Sequence, residues 1–289
     1  MSRILLWIVL PVLMVAGMPA APVSAKEPEP DQVIAYKTTP QGDLSLHAFL
    51  PPDLQGTTQP RAAIVFFFGG GWKNGSPKQF YPHCRHLADR GVVAFAAEYR
   101  IHSKHQTLPD SCVEDGKSAV RWIREHAAEW NINPEQIAAG GGSAGGHVAA
   151  AIATVSRFEA PQENAKISSC PNALVLFNPV LDTTETGKTA APERLGKLAE
   201  EISPVHHLRE ETPPTIIFHG AADTTVPISN VESFEQAVKA KGGRCELVSY
   251  PNRAHGFFNY SRSQADYEDT VKKMDTFLES LGWFGGQAE

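Results

Sequence analysis

Three residues far apart in the chain are of the types that together turn a hydroxyl into a nucleophile: Ser143, Asp223 and His255. An imidazole accepts a serine proton near neutral pH. A carboxylate behind it fixes the tautomer and stabilises the imidazolium as it forms. Ser143 stands in Gly141-Gly142-Ser143-Ala144-Gly145, where the small residues on either side allow the sharp strand-to-helix turn that thrusts a serine outward. Asp223 closes Gly220-Ala221-Ala222-Asp223, and His255 stands in Arg253-Ala254-His255-Gly256. A further element is Phe68-Gly69-Gly70-Gly71-Trp72. Amides of Gly70 and Gly71, joined by that of Ala144, are candidate donors to a developing oxyanion. Trp72 is a candidate substrate platform, with plain packing as the alternative. Asp182 is the rival acid. The serine pentapeptide is a weak signal by its spelling alone. A phosphate-binding turn is the competing reading, disfavoured because neither Gly-Lys-Ser/Thr nor dinucleotide-type glycine spacing is present.

Chemistry of this kind needs a frame that brings three distant loops together. Gln32–Thr38 and Leu44–Pro51 predict an opening hairpin. Apolar runs at Ala62–Phe68, Val92–Tyr99, Gln136–Gly140, Ala173–Val180, Thr215–His219 and Cys245–Tyr250 predict strands. Between and after them, Pro82–Arg90, Asp110–Trp130, Gly146–Ala153, Val231–Lys241 and Tyr267–Leu281 predict helices, with a short helix at Pro192–Glu201 inside a polar stretch, 182–212. Continuous apolar strands alternating with helices predict a mostly parallel central sheet with helices on both faces. Ligands of such sheets bind beyond the carboxyl ends of the strands. Ser143, Asp223 and His255 each follow a predicted strand, in the chain order Ser, Asp, His.

Composition narrows the partners. The chain has 289 residues and a formal net charge of −6. Residues 1–25 have the pattern of a secretory signal: Arg3, an apolar run from Ile4 to Gly17, and Val23-Ser24-Ala25 for cleavage. Pro11 and Pro19 interrupt the stretch, which disfavours a stable membrane anchor. Removing it takes away one arginine and no acid, leaving a net charge of −7. That balance argues against nucleic acid as a partner. Residues 26–31 are expected to form a disordered mature N-terminus, and 32–285 a single domain with a short cap insertion at about 182–212. An exported protein with Cys84, Cys112, Cys170 and Cys245 can form disulfides; Cys84–Cys112 is the first pairing to test, with free buried thiols the alternative. Neither cofactor nor metal is expected. His83 and His86, and His206-His207, lack a third ligand nearby in sequence. His147 is expected to support the serine turn. Asp115 and Glu98-Tyr99-Arg100 are expected to brace the structure.

Taken together, Gly69-Gly70-Gly71-Trp72, Glu98-Tyr99-Arg100, Gly141-Gly142-Ser143-Ala144-Gly145-Gly146, His219-Gly220 with Asp223, and His255-Gly256-Phe257 resemble an α/β-hydrolase of the hormone-sensitive-lipase-like group, near bacterial acetyl esterases and acetylxylan or feruloyl esterases. The resemblance covers nearly the whole chain beyond residue 25. It implies the α/β-hydrolase fold and a Ser143–His255–Asp223 triad. It further implies hydrolysis of short-acyl esters, acetyl or feruloyl groups on carbohydrate among them. Two departures stand out: Phe68 where the family usually has His, and Gly142 where it often has Asp. The first puts the rigidity of the glycine loop in question. Two other readings are a prolyl-oligopeptidase-like serine peptidase, disfavoured because no propeller is present, and a non-catalytic hydrolase-like binding protein. Oligomeric state is not legible.

Overall fold

Continuous apolar strands build one sheet with a core on each side. The computed structural model describes residues 27–56, 58–185 and 192–284; the expected signal at 1–25 and part of the expected insertion, 186–191, lie outside them. The strands are β1 (Gln32–Thr39), β2 (Gly42–Phe49), β3 (Arg61–Phe67), β4 (Val93–Ala97), β5 (Ile132–Gly142), β6 (Ala173–Phe177), β7 (Thr215–Gly220) and β8 (Cys245–Tyr250). They pair in the order β1-β2-β4-β3-β5-β6-β7-β8. β1 and β2 form the expected hairpin, and β2 also runs antiparallel to β4. All other neighbours are parallel. This is the mostly parallel sheet of the α/β-hydrolase fold.

The longer helices are α1 (Tyr81–Asp89), α2 (Pro109–Glu125), α3 (Ala144–Thr154), α4 (Ser229–Ala240) and α5 (Gln264–Ser280). Successive side chains of a strand point to opposite faces. In β3, Ala63, Val65 and Phe67 therefore join one core with Val113 and Val120 of α2 and Val148 of α3. Ile64 and Phe66 join the other, with Leu87 of α1 and Met274 of α5. β3, β4, β6 and β7 are buried along almost all their length, because both faces are covered.

Several boundaries differ from expectation for local reasons. β5 begins at Ile132 rather than Gln136. Its pairing jumps from Arg61↔Ile132 to Ala63↔Ile137, so a bulge carries Asn133 and Pro134 out of register. α2 stops at Glu125, where Nδ1 of His126 takes the Trp122 carbonyl (2.9 Å), and the chain then turns to Asn131 at φ 49°. The predicted helix at Pro192–Glu201 is two single turns, Pro192–Leu195 and Leu198–Glu201, interrupted at Gly196 with φ 43°. Ser263 caps α5 by accepting from the Asp266 amide, which moves its start back to Gln264.

The Cys84–Cys112 pairing is not formed. All four cysteines are free. Cys84 lies in the core on the α1 side of the sheet and Cys112 in the core on the α2 side, with the sheet between them. Among the described residues no helix is long and apolar enough to cross a membrane.

Candidate active site

The β5–α3 turn holds Ser143 in a conformation that most residues avoid, φ 53° and ψ −120°. Such a backbone costs about 1–3 kcal/mol and persists only where its surroundings over-determine it. Here the Ser143 amide donates to the Phe177 carbonyl (2.9 Å), and its own carbonyl receives the His147 amide (2.9 Å). Gly142 explains one departure. A Cβ there would stand 2.7 Å from Cζ of Phe258, so packing of Phe258 against the turn leaves no room for an aspartate.

Three strand ends deliver three side chains to one point. Nε2 of His255 lies 2.9 Å from Oγ of Ser143, and its Nδ1 lies 2.7 Å from Oδ2 of Asp223. The other carboxylate oxygen of Asp223 accepts from the amides of Thr225 (2.8 Å) and Val226 (2.9 Å). Burial alone would raise the Asp223 pKa. The bonds from His255 and these two amides outweigh it and hold the carboxyl below its usual range. Asp223 therefore stays ionised behind the imidazole. Asp182, the rival acid, instead accepts from the amide (2.8 Å) and hydroxyl (2.5 Å) of Thr184, which makes it a cap on the following turn.

The glycine loop faces the serine. Gly70 and Gly71 have φ of 124° and 62°, and a Cβ on Gly70 would collide with the Asn74 carbonyl at 2.1 Å. The loop is tied down by hydrogen bonds despite Phe68. Gln79 accepts from the Gly69 amide (2.7 Å) and donates to Asn259 (2.9 Å). The Gly70 carbonyl accepts from the amides of Lys73 and Asn74. Phe68 itself stacks on Tyr99, whose hydroxyl donates to the Phe68 carbonyl (2.5 Å). Amides of Gly70 and Gly71 find no acceptor among the described residues, and that of Ala144, first in its helix, has no intrahelical partner.

Trp72 borders the site but is 2% exposed. Its indole N–H donates to Nδ1 of His147 (3.1 Å), whose Nε2 bonds to the Ile202 carbonyl (2.9 Å). The carbonyl requires a donor, so His147 is the neutral Nε2–H tautomer. Burial pushes its pKa down to about 4, against the opposing effect of the Ile202 bond. One imidazole thus ties the glycine loop, the serine helix and the insertion together, which is the supporting place expected for it.

Sequence reasoning missed Asn178. It stands at φ 36° just after β6, accepts from the Gly256 amide (2.9 Å), and has its Nδ2 3.5 Å from Nε2 of His255. Its position falls inside the expected strand Ala173–Val180, whereas the strand ends at Phe177 and leaves Asn178 just past it, as Ser143, Asp223 and His255 lie past theirs. The remaining histidines do not converge. His83 is fully buried among Phe80, Phe177 and Tyr267, while His86 bonds to Asp275 (2.8 Å). His206 bonds to Ser203 and His207 to the Glu200 carbonyl. Among the described residues no group of three or more His, Cys, Asp or Glu side chains could hold a metal ion. Asp115 is buried against Lys37 (2.7 Å) and Arg100 (2.7 Å), the bracing place expected for it.

Ser143, His255 and the glycine loop open on a cavity of about 600 Å³, also lined by Asn178, Asn259, Val180 and Phe258. An imidazole between a hydroxyl and a carboxylate, facing unengaged amides, can activate that hydroxyl and receive an oxyanion. The fold and this constellation are those of an α/β-hydrolase. The BD-FAE family model matches residues 48–238, and the chain belongs to that family. A dienelactone hydrolase family model matches residues 192–286.

Relatives point the same way. An acetylxylan esterase of Xylanibacter ruminicola is 30% identical over 256 residues, which cover 83% of this chain and 48% of that protein. A probable carboxylic ester hydrolase, LipM, of Mycobacterium tuberculosis is 31% identical over 79% of this chain and 56% of its own length. The chain thus spans about half the length of these two relatives. The apo form of Thermogutta terrifontis esterase 2 superposes with a TM-score of 0.85 at 46% identity, covering 91% of this chain and 98% of that one. The same esterase phosphorylated by paraoxon gives 0.83 at 47%, covering 89% and 96%.

Proposed function

We propose that the chain is a serine carboxylic-ester hydrolase for short-acyl esters, with Ser143 as nucleophile, His255 as general base and acid, and Asp223 as its orienting carboxylate. The observation that carries this reading is the unbroken relay from Asp223 through His255 to Ser143, with bonds of 2.7 and 2.9 Å, opening on the cavity. Oγ of Ser143 attacks the ester carbonyl carbon as its proton passes to Nε2 of His255. The former carbonyl oxygen, now negative, is held by the amides of Gly70, Gly71 and Ala144. Each such donor is worth about 3–4 kcal/mol at the transition state. The intermediate collapses, the C–O bond to the alcohol breaks, and His255 gives the alcohol its proton. Water, deprotonated by the same imidazole, then attacks the acyl-serine; the bond from the acyl carbon to Oγ breaks, Oγ takes the proton back from His255, and the acid is released.

Short acyl groups are supported by the Thermogutta relative, whose structures include propionate-bound and butyrate-bound forms. Acetyl groups on carbohydrate are supported by the acetylxylan esterase relative, and export of the protein by the signal-like residues 1–25. The test is hydrolysis of p-nitrophenyl acetate together with fluorophosphonate labelling. Ser143→Ala abolishes both while the circular dichroism spectrum is unchanged; retained turnover overturns the assignment. A panel of acetylated xylan, feruloyl esters and p-nitrophenyl esters of rising chain length resolves the substrate.

A further inference from the structure

The cavity is lined by two arginines that the ester-hydrolysis steps above do not use. Among its described lining residues Arg194 and Arg262 are permanently charged and none is acidic, although the chain as a whole has a net charge of −6. Arg194 lies in the single turn Pro192–Leu195 of the insertion. Its Nη2 comes within 3.6 Å of where a Cβ on Gly71 would stand, so the bare glycine leaves the guanidinium open to the oxyanion loop. Its Nε is buried without a hydrogen-bond partner among the described residues. Its ion pair there, from Nη1 to Glu193 (3.1 Å), is with a side chain 66% exposed, and exposed pairs hold little. Arg262, on the other side, donates from Nη1 to the His255 carbonyl (2.8 Å). Its Cζ is 3.5 Å from where a Cβ on Gly256 would stand.

A guanidinium nitrogen that faces the cavity without a partner among the described residues, as Nη2 does, can donate a charge-assisted bond to a carboxylate. In a cleft partly shielded from water that attraction is far stronger than at an open surface. We propose that this cavity selects esters that themselves bear a carboxylate, with Arg194 as the residue that binds it and Arg262 adding to the positive field. Neither arginine touches the reacting atoms; both act on specificity. The inference rests on the esterase reading above and deepens it by naming the charge class of the substrate. A carboxylate on the acyl group and one on the alcohol present the same chemistry, and matched substrates separate them.

The experiment compares mono-p-nitrophenyl succinate with p-nitrophenyl butyrate, and 4-acetoxybenzoate with its methyl ester, in the wild-type chain, Arg194→Gln and Arg194→Lys. Arg194→Gln is expected to lower kcat/KM at least about tenfold for the acid of one pair, the loss of a hydrogen bond to a charged group, with neutral esters within about twofold. Arg194→Lys recovers part of the loss, since it restores the charge without the fork. The pair that responds identifies the side of the ester that carries the carboxylate. Equal losses on acids and neutral esters, or no loss on either acid, overturn the proposal. Failure of the wild-type chain to hydrolyse even p-nitrophenyl acetate overturns instead the esterase reading beneath it.

Discussion

Replacing His147 by leucine removes the one side chain that joins the glycine loop, the serine helix and the insertion. Its cost follows from two bonds. The Trp72 indole N–H and the Ile202 carbonyl each lose a buried partner, and each orphaned group costs about 1–3 kcal/mol. A buried leucine side chain recovers about 1–2 kcal/mol of that, so the expected net loss near pH 7 is about 2–3 kcal/mol. The pH dependence has a definite sign. The imidazole has an ordinary pKa of 6.5 and one pushed down to about 4 in the folded chain. Between these values the unfolded chain binds the extra proton, so wild-type stability falls as pH drops from 6.5 to 4, by about 3 kcal/mol at 1.36 kcal/mol per pH unit. The variant lacks this term, and its deficit closes as the solution is acidified. Urea denaturation followed by tryptophan fluorescence at pH 7, 5.5 and 4 measures both effects. A variant as stable as wild type at pH 7, or a gap that stays constant with pH, refutes the reasoning.

His83 is the opposite case: fully buried with neither ring nitrogen partnered among the described residues, and its pKa pushed down to about 3 by burial. His83→Leu is expected to raise stability at pH 7 by about 1–3 kcal/mol and flatten the acid limb of stability between pH 6.5 and 3; a lower denaturation midpoint at pH 7 counts against it. Gly142→Asp, which restores the residue common in the family, drives a Cβ into Phe258 and is expected to cost about 1–3 kcal/mol by overpacking. Adding Phe258→Leu should recover most of that loss, and thermal melts that show no recovery exclude the steric explanation. Asp223→Asn is expected to lower kcat on p-nitrophenyl acetate by about four orders of magnitude with the fold retained; a loss below about tenfold would mean that another acid orients His255.

Ser143, Asp223 and His255 were legible because each follows an apolar run, and in a parallel sheet the strand ends converge. The strands themselves were legible because burial on both faces leaves uninterrupted apolar stretches, as in Ile64 to Phe67 or Leu174 to Phe177. Boundaries that depend on single bonds were less so. The stop of α2 at His126 and the break at Gly196 arise from local competition that periodicity does not register. The sequence allows a Cys84–Cys112 pairing, because position along the chain does not say on which face of the sheet a side chain lies.

What the residues by themselves determined was therefore the order and type of the elements, and the identity of the three groups at their ends. Tertiary structure alone decided what surrounds them. It made Trp72, at the cavity wall, a buried donor to His147, brought Asn178 beside His255, and set Arg194 over Gly71. These relations join residues 75 to 123 positions apart in the chain. A one-dimensional pattern records which side chains a segment buries, whereas the partner of a buried polar group is chosen by the packing of whole layers against one another.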